Sequence, residues 1–387
     1  MFADMPMRGA FEMSGGKMST AEAELRRRII TPSQFIADTS AFVDVHLPRS
    51  AGKTSFSFIG AGVTQNDQAQ TNLVEPHGFC VGGAGLAPGM INNSHLHYTA
   101  EVFVCLTGTW RMMIGLDARQ EVVIEPGDFF SVPTWVFRSF ENIGTDEGFL
   151  FAFLGGDEPG GILWAPHVIE MARETGFVLD ESQTVARLAD LPPGSKTLRP
   201  LSPEVVSRVE SYSDTEIGAR IVRFTRRAWQ DDALLSAMVP GHGTRVAPVI
   251  GVGMSQHRRP NTAISYPHGF SVNWLRIDES SSIGSHRLEV PAVLLTMNAQ
   301  IELESGGQES SRVTVPPGSV VSLPANEWRD IRNIGSGPAE VVIAIQGDGR
   351  SSLQWSPEIM EATTRHGFTV DAGGCVAPTA LVDSYFG

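Results

Sequence analysis

The chain has 387 residues, of which 42% are hydrophobic and 19% are charged, and its formal net charge is −14. This length allows two or three domains that each bury a core of their own. The acidic balance argues against nucleic acid or an anionic membrane surface as a partner, whereas a small anionic substrate stays open because one local cation can outweigh the global field.

The N-terminal part, residues 1–34, is predicted to be a leader outside the folded domains, and it lacks the apolar run of a signal peptide. The three cysteines, Cys80, Cys105 and Cys375, are odd in number and form no C-x-x-C pair. This usage indicates a reducing compartment. Since no segment reaches the length of a membrane span, we expect a cytoplasmic protein.

An internal duplication follows the leader. The segment IGAGVTQ at 59–65 recurs as IGVGMSQ at 250–256, and PHGF at 76–79 recurs at 267–270. Both pairs are separated by 191 residues, which indicates two structural copies. We predict an N-terminal domain at 35–190, a polar linker at 191–225 and a C-terminal domain at 226–387.

Each copy is predicted to be a β-barrel with a short terminal helix. Segments rich in β-branched and aromatic residues, bounded by turns, lie at 74–83, 101–116, 121–133 and 148–156. Helical patterns that end in glycine follow at 167–176 and 358–367. The fold class is therefore all-β with short flanking helices.

The first copy contains a constellation of metal-binding residue types. It reads Gly89-x5-His95-x-His97-x3-Glu101-x6-Gly108. Alternate residues of a strand share a face, so His95 and His97 point into the same barrel interior, and Glu101 can follow after a bend. Two imidazoles and one carboxylate leave metal positions open for a substrate.

A second motif follows about twenty residues later, Gly127-x5-Pro133-x-Trp135-x2-Arg138-x3-Asn142. This pair of motifs resembles the signature of the cupin superfamily. The resemblance implies two tandem cupin barrels, also called jelly rolls or double-stranded β-helices, and His95, His97 and Glu101 as metal ligands. Family members usually carry a third histidine where this chain has Arg138.

Arg138 has two interpretations. Arginine is not a metal ligand, but its planar fork can hold a carboxylate, so we expect Arg138 to clamp an anionic substrate beside the metal. The alternative is that Arg138 pairs with Glu101 in a metal-free barrel. Trp135, Phe103, Met113 and Cys105 are expected to line the pocket as substrate-binding residues.

The second copy is predicted to have lost the metal site. With a two-residue gap placed after PHGF, His286 corresponds to His97, Gly284 to His95, and Val290 to Glu101. Arg329 corresponds to Arg138. One histidine and one arginine do not make a metal site, so we expect a structural partner barrel.

The resemblance extends to bicupin dioxygenases that cleave the rings of gentisate, salicylate or hydroxynaphthoate. It implies a non-haem Fe(II) dioxygenase that acts on a small carboxylated, aromatic substrate with dioxygen. One alternative is a lyase, isomerase or decarboxylase that uses Mn, Ni or Zn, and another is a non-catalytic binding protein. A homo-oligomer is expected by analogy with the fold.

Overall fold

A computed structural model describes residues 19–306 and 310–384 in two compact units. One unit contains residues 36–225, and the other combines the N-terminal segment up to residue 35 with the chain from residue 226 onward. The division between residues 225 and 226 falls where the second domain was expected to begin, whereas residues 191–225 belong to the first unit instead of forming a separate linker. Residues 1–18 of the expected leader lie outside the described residues.

Part of the expected leader is folded. It forms helix α1 (Thr20–Arg27) and strand β1 (Ile29–Ile30). Ser19 caps the helix by accepting a hydrogen bond from the Glu22 amide. Strand β1 pairs with residues 320–321 of the second unit, and Leu25 and Ile29 join its core. Burial of these apolar side chains is the physical reason that the segment is ordered.

The first unit contains fourteen of the described strands, in two main sheets and one hairpin. They are β2 (Thr54–Ile59), β3 (Thr71–Leu73), β4 (Phe79–Leu86), β5 (Ile91–His97), β6 (Glu101–Thr107), β7 (Trp110–Ile114), β8 (Gln120–Ile124), β9 (Phe129–Val132), β10 (Arg138–Asn142), β11 (Gly148–Gly155), β12 (Ile162–Trp164), β13 (Phe177–Leu179), β14 (Val185–Arg187) and β15 (Ile221–Val222). The helices are α2 (Pro166–Glu174), α3 (Pro203–Val206) and α4 (Asp214–Gly218).

The two main sheets of this unit enclose one core. The larger has the order β15-β9-β6-β11-β4-β2-β3, and the smaller has the order β12-β5-β10-β7-β8. Their inward side chains, among them Phe103, Trp110, Phe130, Phe140 and Leu150, form one apolar cluster. Strand β11 lies between β4 and β6 and is buried along most of its length, which explains its nearly continuous apolar sequence.

Gly108 makes the turn between β6 and β7. Its φ of +86° is in the left-handed region, and a Cβ there would lie 2.7 Å from the Cα of Gly148. Only glycine satisfies both constraints without strain. Gly108, the last residue of the first motif, therefore determines where the strand that begins with Glu101 ends and turns.

Residues of the expected linker also fold onto the first barrel. Strand β15 pairs with β9 at the edge of the larger sheet, and Ile217 of α4 joins the core. Asp128 fixes the return of the chain, because it accepts hydrogen bonds from Arg223 Nη1 at 2.6 Å and from the Phe224 amide at 2.8 Å.

The second unit repeats the architecture. Its further strands are β16 (Thr244–Ile250), β17 (Phe270–Ile277), β18 (His286–Leu288), β19 (Ala292–Thr296), β20 (Ile301–Ser305), β21 (Ser311–Val315), β22 (Val320–Leu323), β23 (Arg329–Asn333), β24 (Ala339–Gln346), β25 (Leu353–Trp355), β26 (Phe368–Val370) and β27 (Val376–Pro378). Its further helices are α5 (Pro357–Arg365) and α6 (Thr379–Asp383). The sheet orders are β1-β22-β19-β24-β17-β16 and β21-β20-β23-β18-β25, with a hairpin of β26 and β27.

The prediction of an all-β chain with two barrels and short flanking helices is confirmed. None of the helices in the described ranges is long and apolar enough to cross a membrane.

Candidate metal centre

The three predicted ligands converge in the first barrel. His95 and His97 lie on one face of β5, and Glu101 is the first residue of β6. All three are buried, and one potential ligand atom from each lies within 4.8 Å of the others. His97 Nε2 is 3.6 Å from Glu101 Oε1. Within the described part of the chain, no other group of three His, Cys, Asp or Glu has such an arrangement.

The ring of His95 is oriented by its own strand. Its Nδ1 lies 2.7 Å from the carbonyl oxygen of Asn93, a contact that requires the proton on Nδ1. Nε2 then carries the lone pair that a metal needs. The ring of Trp164, the cross-strand neighbour of His95 on β12, packs against it at a centroid distance of 5.4 Å.

Electrostatics keep both imidazoles neutral. Burial lowers the pKa of His95 and of His97 well below the usual histidine value, and the positive charge of Arg138 lowers both further. Neutral imidazole is the form that ligates a metal. The two histidines are therefore available as ligands without a competing proton at neutral pH.

Arg138 lies across the strand pair from His95 and is fully buried. Its Nε is 3.1 Å from Glu101 Oε2, and its Nη1 donates to the carbonyl of Val136 at 3.3 Å. Burial raises the pKa of Glu101, whereas Arg138 opposes that rise. Arg138 thus contacts Glu101, as the alternative interpretation expected.

A narrow cavity of about 90 Å³ opens over the three ligands. Phe103, Phe140, Leu154 and Ile162 contribute apolar surface, and Asn92 contributes an amide beside His95. Arg138 does not line this cavity. Its guanidinium contacts Glu101 and the carbonyl of Val136, so a substrate clamp at Arg138 stays a prediction.

Of the other expected substrate-binding residues, Phe103 lines the cavity and three do not. Cys105 faces inward, as strand alternation predicts, but it is buried in the apolar core, with Sγ 3.6 Å from the carbonyl of Thr107. Burial raises its pKa well above the usual thiol value. Met113 lies on the opposite face of β7 from the core residues Met112 and Ile114.

Trp135 is also outside the cavity. It is 44% exposed, adopts a φ of +54°, and packs its ring against Tyr98 at a centroid distance of 5.1 Å. The positive φ places it in a turn between β9 and β10 rather than on a strand. Because Trp135 lies in a turn, strand alternation does not predict the direction of its side chain.

The sequence analysis did not identify a buried polar cluster behind His95. Lys53, Asp44 and Asn92 are all buried, and Lys53 Nζ donates to Asp44 Oδ1 at 2.5 Å and to Asn92 Oδ1. Burial lowers the pKa of Lys53, and Asp44 opposes that effect. No local motif marks these residues, which are 9 and 39 positions apart from Lys53.

The second barrel has a different correspondence from the one predicted. His286 pairs with Arg329 and Trp355, as His95 pairs with Arg138 and Trp164. His286 therefore corresponds to His95, at the constant interval of 191 residues. It does not correspond to His97, and Gly284 does not correspond to His95. The gap placed after PHGF was wrong.

With this register, the residues at the other two ligand positions are apolar. Leu288 pairs with Leu353 as His97 pairs with Ile162, so Leu288 stands at the position of His97. Ala292 pairs with Leu323 as Glu101 pairs with Val132, so Ala292 stands at the position of Glu101. Val290 does not correspond to Glu101. The prediction that the second barrel lacks the ligand set nevertheless agrees with the described residues.

Comparison with known proteins defines the class. Residues 84–153 match a family model described as the cupin domain. Two solved structures span nearly the whole chain, each with a TM-score of 0.52. The oxalate decarboxylase of Lactobacillus farciminis in complex with formate is 13% identical and covers 96% of this chain and 94% of its own, and a deletion mutant of the Bacillus subtilis oxalate decarboxylase is 11% identical and covers 99% and 94%.

A vicilin from hazelnut, Corylus avellana, is 10% identical, with a TM-score of 0.50 and coverage of 84% of this chain and 87% of its own. No curated protein matches the chain. Residues of the first barrel thus match the cupin domain, and the fold of the chain is that of two tandem cupin barrels. At these identities the structural likeness establishes the fold alone.

Proposed function

We propose that the first barrel is the active domain of a metal-dependent enzyme that acts on a small carboxylic acid without an oxidant, with decarboxylation as the favoured reaction. The observation that carries this proposal is the convergence of two neutral imidazoles and one carboxylate at the wall of a narrow buried cavity. Such a ligand set leaves positions open for substrate, as catalytic rather than structural metal sites do.

The donor set fits a divalent transition metal. His95 Nε2, His97 Nε2 and a carboxylate oxygen of Glu101 would hold it. Mixed imidazole and carboxylate ligands suit Mn, Fe, Ni or Zn. A bound metal of this kind supplies a Lewis acid that polarises a substrate carboxylate or carbonyl. We place Mn²⁺ first for a non-oxidative reaction.

The size of the cavity favours a small substrate. A cavity of roughly 150 Å³ accepts benzene, whereas this one measures about 90 Å³. A short carboxylic acid fits this space better than the bicyclic aromatic acids that the dioxygenase interpretation includes. The aromatic side chains Phe103 and Phe140, whose ring centroids are 5.1 Å apart, contribute apolar surface to the cavity.

Asn92 supplies a hydrogen-bond donor to the substrate in this proposal. Its Oδ1 accepts from Lys53, which can only donate, so its Nδ2 faces His95 and the cavity. The Nδ1 of His95, 3.3 Å away, already carries a proton directed at the Asn93 carbonyl and cannot accept. The amide protons of Asn92 are therefore available to a carboxylate oxygen, a role that the sequence analysis gave to Arg138.

Decarboxylation is the reaction that proteins of similar fold favour. Oxalate decarboxylases share the bicupin fold over nearly the whole chain, and one of them holds formate. Decarboxylation breaks one carbon–carbon bond, leaves the electron pair on the remaining fragment, releases CO₂ and takes up one proton. It needs no oxidant. An Fe(II) dioxygenase is the second candidate, because two histidines and one carboxylate also serve that chemistry.

The test measures metal, CO₂ and dioxygen on the same preparation. Purified protein is analysed for metal, loaded with Mn²⁺, Fe²⁺ or Zn²⁺, and incubated with a panel of small carboxylic acids with and without air. We expect one metal per chain and CO₂ release without dioxygen uptake, lost in His95→Ala. Dioxygen uptake equal to product would establish the dioxygenase instead, and no metal after reconstitution would leave a non-catalytic binding protein.

A further inference from the structure

The first barrel contains a buried ion pair, Asp44 with Lys53. The second barrel adopts the same fold without it. Asp44 is fully buried and Lys53 is 1% exposed. Burying two charges carries a desolvation cost that their mutual attraction often fails to recover. Stability of the fold therefore does not by itself explain why these two charges are buried together.

The second barrel builds the same region without the charges. Gln256 accepts from the Leu235 amide at 3.0 Å, as Gln65 accepts from the Val43 amide at 3.2 Å, so Ser236 stands where Asp44 does. The register of β16 against β17 places Thr244 at the position of Lys53.

The third member of the cluster is replaced as well. Ile283 and Gly284 stand where Asn92 and Asn93 do, because they precede His286 as the asparagines precede His95. The ring of His286 keeps its orientation all the same, with Nδ1 2.8 Å from the carbonyl of Gly284. The charged cluster is therefore not needed to orient the histidine at this position.

What the cluster does determine is the direction of one amide. An ammonium group has donors only, so Lys53 fixes the carbonyl oxygen of the Asn92 side chain towards itself and its NH₂ group towards the cavity. Asp44 Oδ1 holds Lys53 in place, and Asp44 Oδ2 accepts from the Asn93 amide at 3.0 Å. The cluster occurs in the barrel that has the ligand set and is absent from the one that lacks it.

We propose that Asp44 and Lys53 are positioning residues for substrate: they lock the Asn92 side chain with its NH₂ group facing the cavity, so that the site presents a donor to a carboxylate. This inference rests on the proposed function of the first barrel. Because the pair is formally neutral, its proposed effect on substrate is through the geometry of Asn92.

The test is a double-mutant cycle on carboxylate binding. Asp44→Ser with Lys53→Thr installs the residues of the second barrel and removes both charges together, and Asn92→Ile does the same for the amide. Binding of oxalate and of acetate to the Mn²⁺-loaded full chain is measured by calorimetry, with metal content and thermal stability on the same samples. Ser236→Ala with Thr244→Val is the control, since it changes the equivalent pair of positions in the barrel that lacks the ligand set.

We expect Asn92→Ile to weaken carboxylate binding roughly 10-fold or more, as for the loss of a hydrogen bond to a charged group. The Asp44→Ser/Lys53→Thr variant should bind carboxylate about 10-fold more weakly, with metal content unchanged. It should have no further effect in the Asn92→Ile background. The control should bind as wild type does.

Unchanged affinity in the Asp44→Ser/Lys53→Thr variant, or an effect that persists with Ile at position 92, would overturn the inference. Loss of metal in that variant would also overturn it, because the pair would then act on the ligands. If the double variant does not fold, Asp44→Asn with Lys53→Met, which also removes both charges at nearly constant volume, gives the same cycle in the wild-type and Asn92→Ile backgrounds. Failure of the proposed function is distinct, since wild-type protein would then bind no metal or no carboxylate.

Discussion

The two barrels provide a matched pair of histidine substitutions that tests the metal site. His95 and His286 occupy equivalent strand positions, are both buried, and donate from Nδ1 to a carbonyl at 2.7 and 2.8 Å. Truncation of either to alanine removes a similar volume and one hydrogen bond. The cost to the metal-free protein should therefore be similar, about 2–4 kcal/mol for the barrel concerned.

The metal should separate the two variants. A ligand at 100 times its dissociation constant stabilises the folded state by about 2.7 kcal/mol, which corresponds to roughly 5–10 °C in Tm for a domain of this size. Wild type and His286→Ala should show this shift and bind one metal per chain. His95→Ala should show neither.

The assay is thermal unfolding followed by circular dichroism, with and without Mn²⁺, beside elemental analysis of the same samples. Equal metal content in His95→Ala and His286→Ala would refute the assignment of the site to the first barrel. A halving of metal content in both would indicate one site in each barrel, which the residues at positions 288 and 292 do not support.

Three further outcomes follow from the contacts of Arg138 and of the N-terminal segment. Arg138→Met removes the cation that faces Glu101, so the metal-free protein should lose about 3–5 kcal/mol in denaturation while metal content persists. Arg138→His places an imidazole across from His95, so competition with a chelator should show tighter metal binding; unchanged metal affinity would contradict the cross-strand geometry. Leu25→Ala should destabilise the second barrel by about 2–5 kcal/mol in urea unfolding, because Leu25 joins its core, and an unchanged midpoint would show that the segment is dispensable.

The ligand set could be predicted from the sequence because its geometry is local. His95 and His97 share a face through strand periodicity alone, and Glu101 follows within four residues. The same periodicity gave the correct inward direction of Phe103 and Cys105. It could not give the depth of the cavity, which depends on how rings from two sheets meet, and so it placed Cys105 in the pocket rather than in the core.

Contacts distant in sequence could not be read in this way. Asp44, Lys53 and Asn92 come from three separate segments and meet only after the barrel closes. The duplication contained a signal for them, since these two charged residues and the amide correspond to Ser236, Thr244 and Ile283 in the other copy. The gap placed after PHGF obscured that signal, because a shift of two residues keeps every side chain on its face and therefore leaves the hydrophobic pattern unchanged.

The short β1 strand shows a different limit. Two isoleucines carry no periodicity, and their order depends on pairing with β22, almost 300 residues later. A segment of this kind resembles a leader until the edge strand that it covers is known.

The second barrel should also show an acid sensitivity that one residue explains. Burial and the charge of Arg329 lower the pKa of His286 to about 4 from 6.5. Between these values the unfolded chain binds a proton that the folded barrel does not, so stability is full above about pH 6.5 and falls as the pH approaches 4. From pH 7 to pH 4.5 the loss is about 2 kcal/mol. In urea denaturation, His286→Leu should remove this part of the pH dependence, whereas the exposed His167→Gln should leave it intact. Parallel pH profiles for wild type and His286→Leu would refute this explanation, because His286 would then titrate in the folded barrel as it does in the unfolded chain.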